Sequence, residues 1–320
     1  MNARSIVVLA LILALLGAGL WYRRTFRDDA RVMTSESLRP MVPADLNTTA
    51  LDRIEISRPG SAAVILEKTD GSWRIPALGG VMASAQGVEH MLAAVGGLRG
   101  ELRSSDPAVL RDFELESEQA LGLVLHQGQT ELAHLLFGKG DFRQVFVRAA
   151  GSSDVCVVPG TILGQLGAHG SSLSAQFWID TNLLSVPATE VAELRLSTPT
   201  DEAILIRTTQ VKGNTGNAAS AWTLRQSRGK GLPLGQLEDI VPALARVSVF
   251  EAVPPGNALV SRLNTPTHRL EIRTPSRTLV LEAALHRDDI LVRRADSSHV
   301  YRMHATVFRR LFPAPPNPAG

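Results

Sequence analysis

The chain has 320 residues, of which 44% are apolar and 20% charged, with a formal net charge of +2. This composition is typical of a folded globular protein and excludes a largely disordered one. The small net charge and an aromatic content of only 5% argue against a nucleic-acid partner. The single cysteine, Cys156, excludes an intramolecular disulfide and a cysteine-based zinc site, and its apolar neighbours predict a buried position.

The first predicted element is an uncharged apolar segment from Ser5 to Tyr22. Its length is close to the ~20 residues that cross a bilayer as a helix, and aromatic residues end it, as at a membrane interface. We predict an uncleaved transmembrane anchor over residues 1–27, with a cleaved signal peptide as the alternative. The residues assigned to the anchor are Ile6, Ala10, Leu13, Leu16, Leu20 and Trp21.

The charges that flank this segment disagree with its expected orientation. Arg4 precedes it, whereas Arg23, Arg24, Arg27 and Arg31 follow it, so the positive-inside rule places the main domain in the cytoplasm. A single N-terminal apolar segment ahead of a long globular region is, however, typical of an export signal-anchor. We therefore predict export, against the arginine count.

Residues 28–48 lack periodicity and contain two prolines, which predicts a linker. Residues 49–175 then predict a first α+β module. Alternation at 51–59 and a "DG" turn within 62–75 predict three strands, and four apolar residues at helical spacing within 84–98 predict a helix. Further predicted elements are a short helix at 106–113, a hairpin at 121–138 turning at "QGQ", a hairpin at 146–158 and a short helix at 160–166.

Residues 176–312 predict a second module with the same plan. The helix at 234–247 contains Pro242, which is expected to kink or divide it. The other predicted elements are strands at 191–199, 203–210 and 221–226, an enlarged loop at 211–220, hairpins at 268–285 and 291–303, and a closing helix, followed by a disordered proline-rich tail at 313–320.

Two stretches of the chain repeat each other without a gap. "FVRAAGSSDVCVV" begins at residue 146 and "LVRRADSSHVYRM" begins 145 residues later, at residue 291. Seven features recur in one order around them, from a strand with a terminal proline to a short closing helix. We therefore predict a tandem duplication of an antiparallel sheet-plus-helix module.

The order of these motifs resembles the bacterial DUF4340 domain family. An apolar N-terminal segment leads into "IEISRP", "SWRI", a helix, a hairpin ending in "FG", the "VFVRAAGSSDVCVV" hairpin and an "FW" segment that opens a second copy. The resemblance covers about residues 49–312. The second copy departs from it where "LHRDD" at 285–289 replaces the glycine-containing turn and where the 211–220 loop is enlarged.

The resemblance implies a single-pass protein of the bacterial inner (cytoplasmic) membrane, with its main domain on the periplasmic side and no established activity. It also implies an accessory role beside an ABC-type exporter, with transporter subunits as protein partners. Two other function classes stay open. One is an envelope enzyme, such as a glycan or peptide hydrolase with a site between the modules, and the other is a ligand-sensing module.

No motif of the sequence indicates catalysis, a bound metal or a cofactor. The eight histidines include no HExxH pair, and "AHGSSLS" at 168–174 lacks the elbow of a serine hydrolase. We predict that the chain is not an enzyme and name no catalytic, metal or cofactor residue.

Four residues are candidates for binding. Trp73 and Trp222 occupy matching strands, which predicts core packing, with an exposed aromatic platform as the alternative. Arg148 and Arg293 occupy matching positions of the repeated hairpin. The alternation around them predicts solvent-facing side chains, with an anion clamp as the alternative.

Overall fold

The computed structural model describes residues 38–170, 172–211, 218–229 and 232–313. Antiparallel strands dominate this part of the chain and its helices are short, so the predicted α+β class is confirmed in a sheet-rich form. The anchor residues Ile6 to Trp21 lie outside the described residues. Among the described residues, no helix is long and apolar enough to cross a membrane.

The first half of the chain forms a ten-stranded sheet with the strand order β1-β6-β10-β9-β8-β7-β2-β3-β4-β5. The strands are β1 (Leu38–Pro40), β2 (Arg53–Ser57), β3 (Val64–Thr69), β4 (Ser72–Ile75), β5 (Val81–Met82), β6 (Arg99–Ser104), β7 (Leu121–Gln127), β8 (Thr130–Gly140), β9 (Gln144–Ala149) and β10 (Val155–Pro159). Neighbouring strands all pair in the antiparallel sense.

Turn chemistry fixes the tightest hairpins of this sheet. Asp70 and Gly71 have φ values of +52° and +76°, and a type I′ turn between β3 and β4 requires positive φ at both central residues. Gly128, with φ of +57°, lies in the turn between β7 and β8, as predicted from "QGQ". On β2, burial alternates, so that Ile54 and Ile56 face the core.

The helix predicted within 84–98 is α1 (Ala85–Gly96). It begins after Ser84, whose side-chain oxygen accepts a hydrogen bond from the Gly87 backbone N–H at 3.1 Å. Its buried face comprises the four predicted apolar residues, Val88, Met91, Leu92 and Val95. The burial of each contributes roughly 1.5–3 kcal/mol to folding. The helix packs against β4 and the short helix α2 (Thr161–Gln165).

Residues 38–42 belong to the fold, although we predicted a linker over 28–48. Strand β1 pairs with β6 at the sheet edge, and Met41 and Val42 are buried. A strand of three residues is too short to show alternation, and Pro40 is typical of an edge position rather than a central strand.

The second half forms an eight-stranded sheet with the order β16-β15-β14-β19-β20-β21-β22-β18. These strands are β14 (Glu193–Ser197), β15 (Asp201–Val211), β16 (Ala218–Gly229), β18 (Glu251–Val253), β19 (His268–Arg273), β20 (Thr278–His286), β21 (Asp289–Arg294) and β22 (Val300–Arg302). Two small sheets pair β11 (Ala168–His169) with β12 (Ser172–Leu173) and β13 (Asn182–Leu184) with β17 (Val247–Ser248).

The helix predicted at 234–247 is divided into α3 (Leu234–Glu238) and α4 (Ile240–Ala243). The proline ring at 242 would clash with the carbonyl of the residue four positions earlier, Glu238, and this is where α3 ends. The predicted closing helix is α5 (Ala305–Leu311). Short 3-10 helices occur at Thr48–Ala50, Pro76–Leu78, Pro107–Val109, Ala175–Trp178 and Ala258–Asn264.

The two large sheets have the same internal order. The run β6-β10-β9-β8-β7-β2-β3-β4 of the first corresponds, strand by strand in chain order, to β18-β22-β21-β20-β19-β14-β15-β16 of the second. One hydrophobic cluster of buried residues includes side chains of both sheets and of the segment that joins them. The two halves therefore share this cluster, and a smaller separate cluster, which includes Leu263 and Leu291, lies within the second half.

Candidate functional site

Trp73 is part of the core. Its side chain lies on β4 with 7% of the residue exposed, and the Lys68 ammonium group is 5.8 Å from the centre of its ring. A ring buried to this extent offers little surface for stacking a ligand.

Trp222 occupies a different environment. It lies on β16, the outermost strand of the second sheet, and is half-buried against the core. The Arg207 guanidinium, on the neighbouring strand, is 5.8 Å from the ring centre. A cation at this distance over an indole face is attracted to it. The same arginine donates a hydrogen bond to the backbone carbonyl of Thr189 at 2.7 Å. This bond links β15 to the segment before β14.

Arg148 is buried, so the prediction of a solvent-facing side chain is wrong. Only 8% of the residue is exposed. Its Nε donates to the Leu115 carbonyl at 2.9 Å, and its Nη1 donates to the carbonyls of Ala150 at 2.8 Å and Ser152 at 3.2 Å. Burial lowers the pKa of the guanidinium from its ordinary value. The planar guanidinium of Arg148 thus links the turn of its own hairpin to the loop that contains Leu115.

Arg293 lies on the corresponding hairpin but on a charged sheet face. Its Nε donates to Glu282 at 2.9 Å, and the other oxygen of Glu282 accepts a hydrogen bond from Arg269 at 2.8 Å. Two arginines therefore already neutralise the Glu282 carboxylate. This arrangement does not leave Arg293 available as an anion clamp.

The two sheets are joined through residues 175–184. The side-chain amide of Gln176 bonds the backbone of Ala252 in both directions, accepting from its N–H at 2.8 Å and donating to its carbonyl at 2.7 Å. Ala83 and Ile179 form an antiparallel bridge, and β13 pairs with β17. The buried indole of Trp178 lies at the centre of this segment.

A polar cleft of about 370 Å³ lies at the junction of the two sheets; we call it the intersheet cleft. The Arg294 side chain donates to Asp296 at 3.0 Å, and this bond lowers the pKa of the Asp296 carboxyl. Burial raises the pKa of the Tyr301 phenol, and the nearby charge of Asp180 raises it further. Asp180 itself accepts a hydrogen bond from the backbone of Asn182 at 2.9 Å.

A serine and a histidine meet in this cleft. Ser297 Oγ is 3.1 Å from His299 Nδ1, and His299 Nε2 is 2.9 Å from the Gly79 carbonyl oxygen. Ser297 Oγ also accepts the backbone N–H of His299 at 3.2 Å, which is the geometry of a hydroxyl-stabilised turn. The pair therefore fixes the β21–β22 turn and links it to the first half of the chain. A hydrolytic role for it would require Ser297 to leave this turn.

Sequence analysis did not identify the residues of this junction. Gln176 and Asp180 lie before the first strand that the second half has in common with the first half, so the sequence similarity between the halves gave no reason to single them out. Among the described residues, no group of three or more His, Cys, Asp or Glu side chains is placed to hold a metal ion. The intersheet cleft is lined by hydrogen-bonding and charged side chains, among them Arg74, Asp180 and Arg294.

A family model described as a domain of unknown function, DUF4340, matches residues 73–266. The match begins in β4, ends just before β19 and covers more than half of the 320 residues. No curated protein and no solved structure matches the chain. The chain therefore belongs to the DUF4340 family.

Proposed function

We propose that this chain is a membrane-anchored, extracytoplasmic binding or scaffold protein that serves as an accessory component of an ABC-type export system. In this proposal its body consists of two tandem copies of one module. The common strand order of the two sheets and the 145-residue offset between the repeated hairpins support the duplication.

The observation that carries the proposal is the free edge of β16. This strand has 12 residues and ends the second sheet, so that no strand of the described residues pairs with its outer side. Its inner side pairs with β15 from Asp201 to Val211, whereas β14 pairs with β15 only from Glu202 to Ile206. The hairpin therefore projects past the sheet and presents backbone groups to a partner strand.

Features of the same strand limit where a partner can pair. The register shifts between Ile204 and Leu205, which leaves Arg225 in a bulge, and Arg225 and Arg228 are exposed. Bulges and charged side chains discourage pairing at an edge. The segment of β16 before Arg225 is therefore the docking edge.

A shortened hairpin tests this assignment. Thr208 and Ala221 are paired directly, so residues 209–220 can be replaced by Asn-Gly, which closes a two-residue type I′ turn. The Arg207–Trp222 contact is retained. The full-length chain, extracted in mild detergent, is expected to co-purify with transporter subunits, and the shortened chain is expected to lose them while keeping its melting temperature. Equal recovery of transporter subunits with both chains refutes docking at this edge. Purification of the full-length chain without any transporter subunit refutes the scaffold role.

The membrane topology is tested separately. A reporter enzyme active only outside the cytoplasm, fused to the carboxyl end, is expected to give a signal. Absence of activity, together with activity of a reporter restricted to the cytoplasm, would instead support the orientation given by the arginine count.

A further inference from the structure

A cleft lies at one end of the first sheet. It has a volume of about 910 Å³, and we call it the first-sheet cleft. It opens where β7 begins and β8 ends, and α2 forms another of its walls. Leu163 supplies apolar surface to this cleft, whereas Leu121 and Phe137 line it but are almost fully buried. The volume is at the upper end of the range for ligand sites, which is roughly 300–1,000 Å³.

Glycines keep the α2 side of this cleft open. A Cβ atom added to Gly164 would meet no atom within 4 Å, so the position borders empty space. Gly160, just before α2, has no such room, because a Cβ there would lie 1.8 Å from the Asp141 carbonyl oxygen. Gly160 thus allows the loop that contains Asp141 to approach α2, and Gly164 leaves space beside the helix.

Two opposite charges at the cleft have no ion-pair partner. Lys139 and Glu114 both line it and are exposed, and within the described part of the chain neither forms a salt bridge. Asp141 differs, because its carboxylate accepts the backbone N–H groups of Arg143 and Gln144, which lowers its pKa. Arg58 also lines the cleft, but its guanidinium donates to the Gly170 carbonyl. Among the charged side chains of the cleft, Lys139 and Glu114 are thus the cation and the anion that have no hydrogen bond within the described part of the chain.

The backbone at Glu114 is held in an unusual conformation. Its φ is +57°, a value that non-glycine residues rarely adopt, and Lys139 N donates to the Phe113 carbonyl at 2.8 Å. The 113–114 turn therefore lies directly against β8. This contact fixes the segment that carries Glu114 next to the segment that carries Lys139.

We infer that the first-sheet cleft binds a peptide segment that carries an apolar side chain together with one acidic and one basic group. The apolar side chain packs against Leu163, the acidic group pairs with Lys139 and the basic group pairs with Glu114. A neutral glycan would cover both charges without pairing either of them, which costs solvation energy. Phe142, at 75% exposure on the rim, gives the peptide further apolar contact.

The experiment measures fluorescence anisotropy of a labelled pentapeptide, Lys-Leu-Phe-Leu-Glu, added to the full-length chain in detergent. Gly164→Trp fills the cleft, and Gly96→Trp is the matched control, because Gly96 is also helical and also borders open space. Lys139→Gln removes the cation. The unlabelled competitors are a peptide with both charges neutralised and an uncharged N-acetylglucosamine tetramer.

We expect Gly164→Trp to weaken peptide binding at least tenfold and Gly96→Trp to leave it unchanged. Lys139→Gln should weaken binding about tenfold, because it removes one charge-assisted contact. The neutralised peptide should compete poorly. Binding that is equal in all variants, or absent in the unaltered chain, overturns the inference. Displacement by the sugar but not by unlabelled peptide overturns the peptide assignment and identifies a glycan site. Because these measurements use the isolated chain, their failure leaves the transporter proposal untouched.

Discussion

Replacement of Arg148 by methionine tests the energetic role of a buried guanidinium. The substitution keeps an unbranched apolar stem but removes the donors to Leu115, Ala150 and Ser152. A hydrogen bond to a charged group contributes roughly 1.5–3 kcal/mol, and the two bonds at 2.9 and 2.8 Å dominate here. We therefore expect Arg148→Met to lower the free energy of unfolding by about 3–5 kcal/mol.

The hairpin at 291–303, which has a similar sequence, provides the matched control. Arg293→Met removes an arginine from the corresponding position, but Glu282 keeps its bond to Arg269 at 2.8 Å. The side chain of Arg293 is also 24% exposed, so solvent screens the lost ion pair. We expect this variant to lose about 1 kcal/mol.

Urea denaturation of the full-length chains in detergent, followed by tryptophan fluorescence, compares the two variants. The m values should agree with that of the unaltered chain, so that a shift in midpoint reports stability. An Arg148→Met variant that loses no more stability than Arg293→Met refutes the assignment of Arg148 as a structural tie.

Three further predictions concern single side chains. Trp73→Ala should lower the free energy of unfolding by about 3–5 kcal/mol, as expected for a buried aromatic residue, and Trp222→Ala by markedly less, in the same urea assay. Burial lowers the pKa of His268 below its ordinary value of 6.5, so the unfolded chain gains the proton first on acidification. Stability should therefore fall as the pH drops below 6.5, and His268→Leu should reduce this dependence; a curve that rises toward acid pH would contradict the sign. Burial also raises the pKa of the Cys156 thiol, so maleimide should label it only after unfolding, and rapid labelling of the native chain would show that the thiol is accessible.

Local sequence signals predicted the regular elements of this fold well. The Asp70–Gly71 turn, the apolar face of α1 and the division of the second helix near Pro242 each depend on a few neighbouring residues. Such features are set by backbone sterics and by periodicity, so they are readable from the chain alone.

Long-range contacts could not be predicted from the sequence in the same way. Arg148 is flanked by strand residues whose alternation suggests a solvent-facing position, but the carbonyls that bind its Nε and Nη1 come from a loop 33 residues earlier and from its own turn. Gln176 bonds Ala252, 76 residues away, and nothing in either segment indicates the other. The first-sheet cleft likewise depends on a long-range contact, in which the turn that contains Glu114 packs against the strand that carries Lys139.

Site-specific photo-crosslinking from β16 tests the proposed function most directly. A photoreactive amino acid at the exposed position Thr223, with Ser276 in the β19–β20 turn as the control position, is introduced into the full-length chain in native membranes. Crosslinks from position 223, but not from 276, to a transmembrane subunit of an ABC-type exporter are the predicted result. Crosslinks from both positions to the same abundant proteins, or none from 223, would contradict docking of an exporter at this edge.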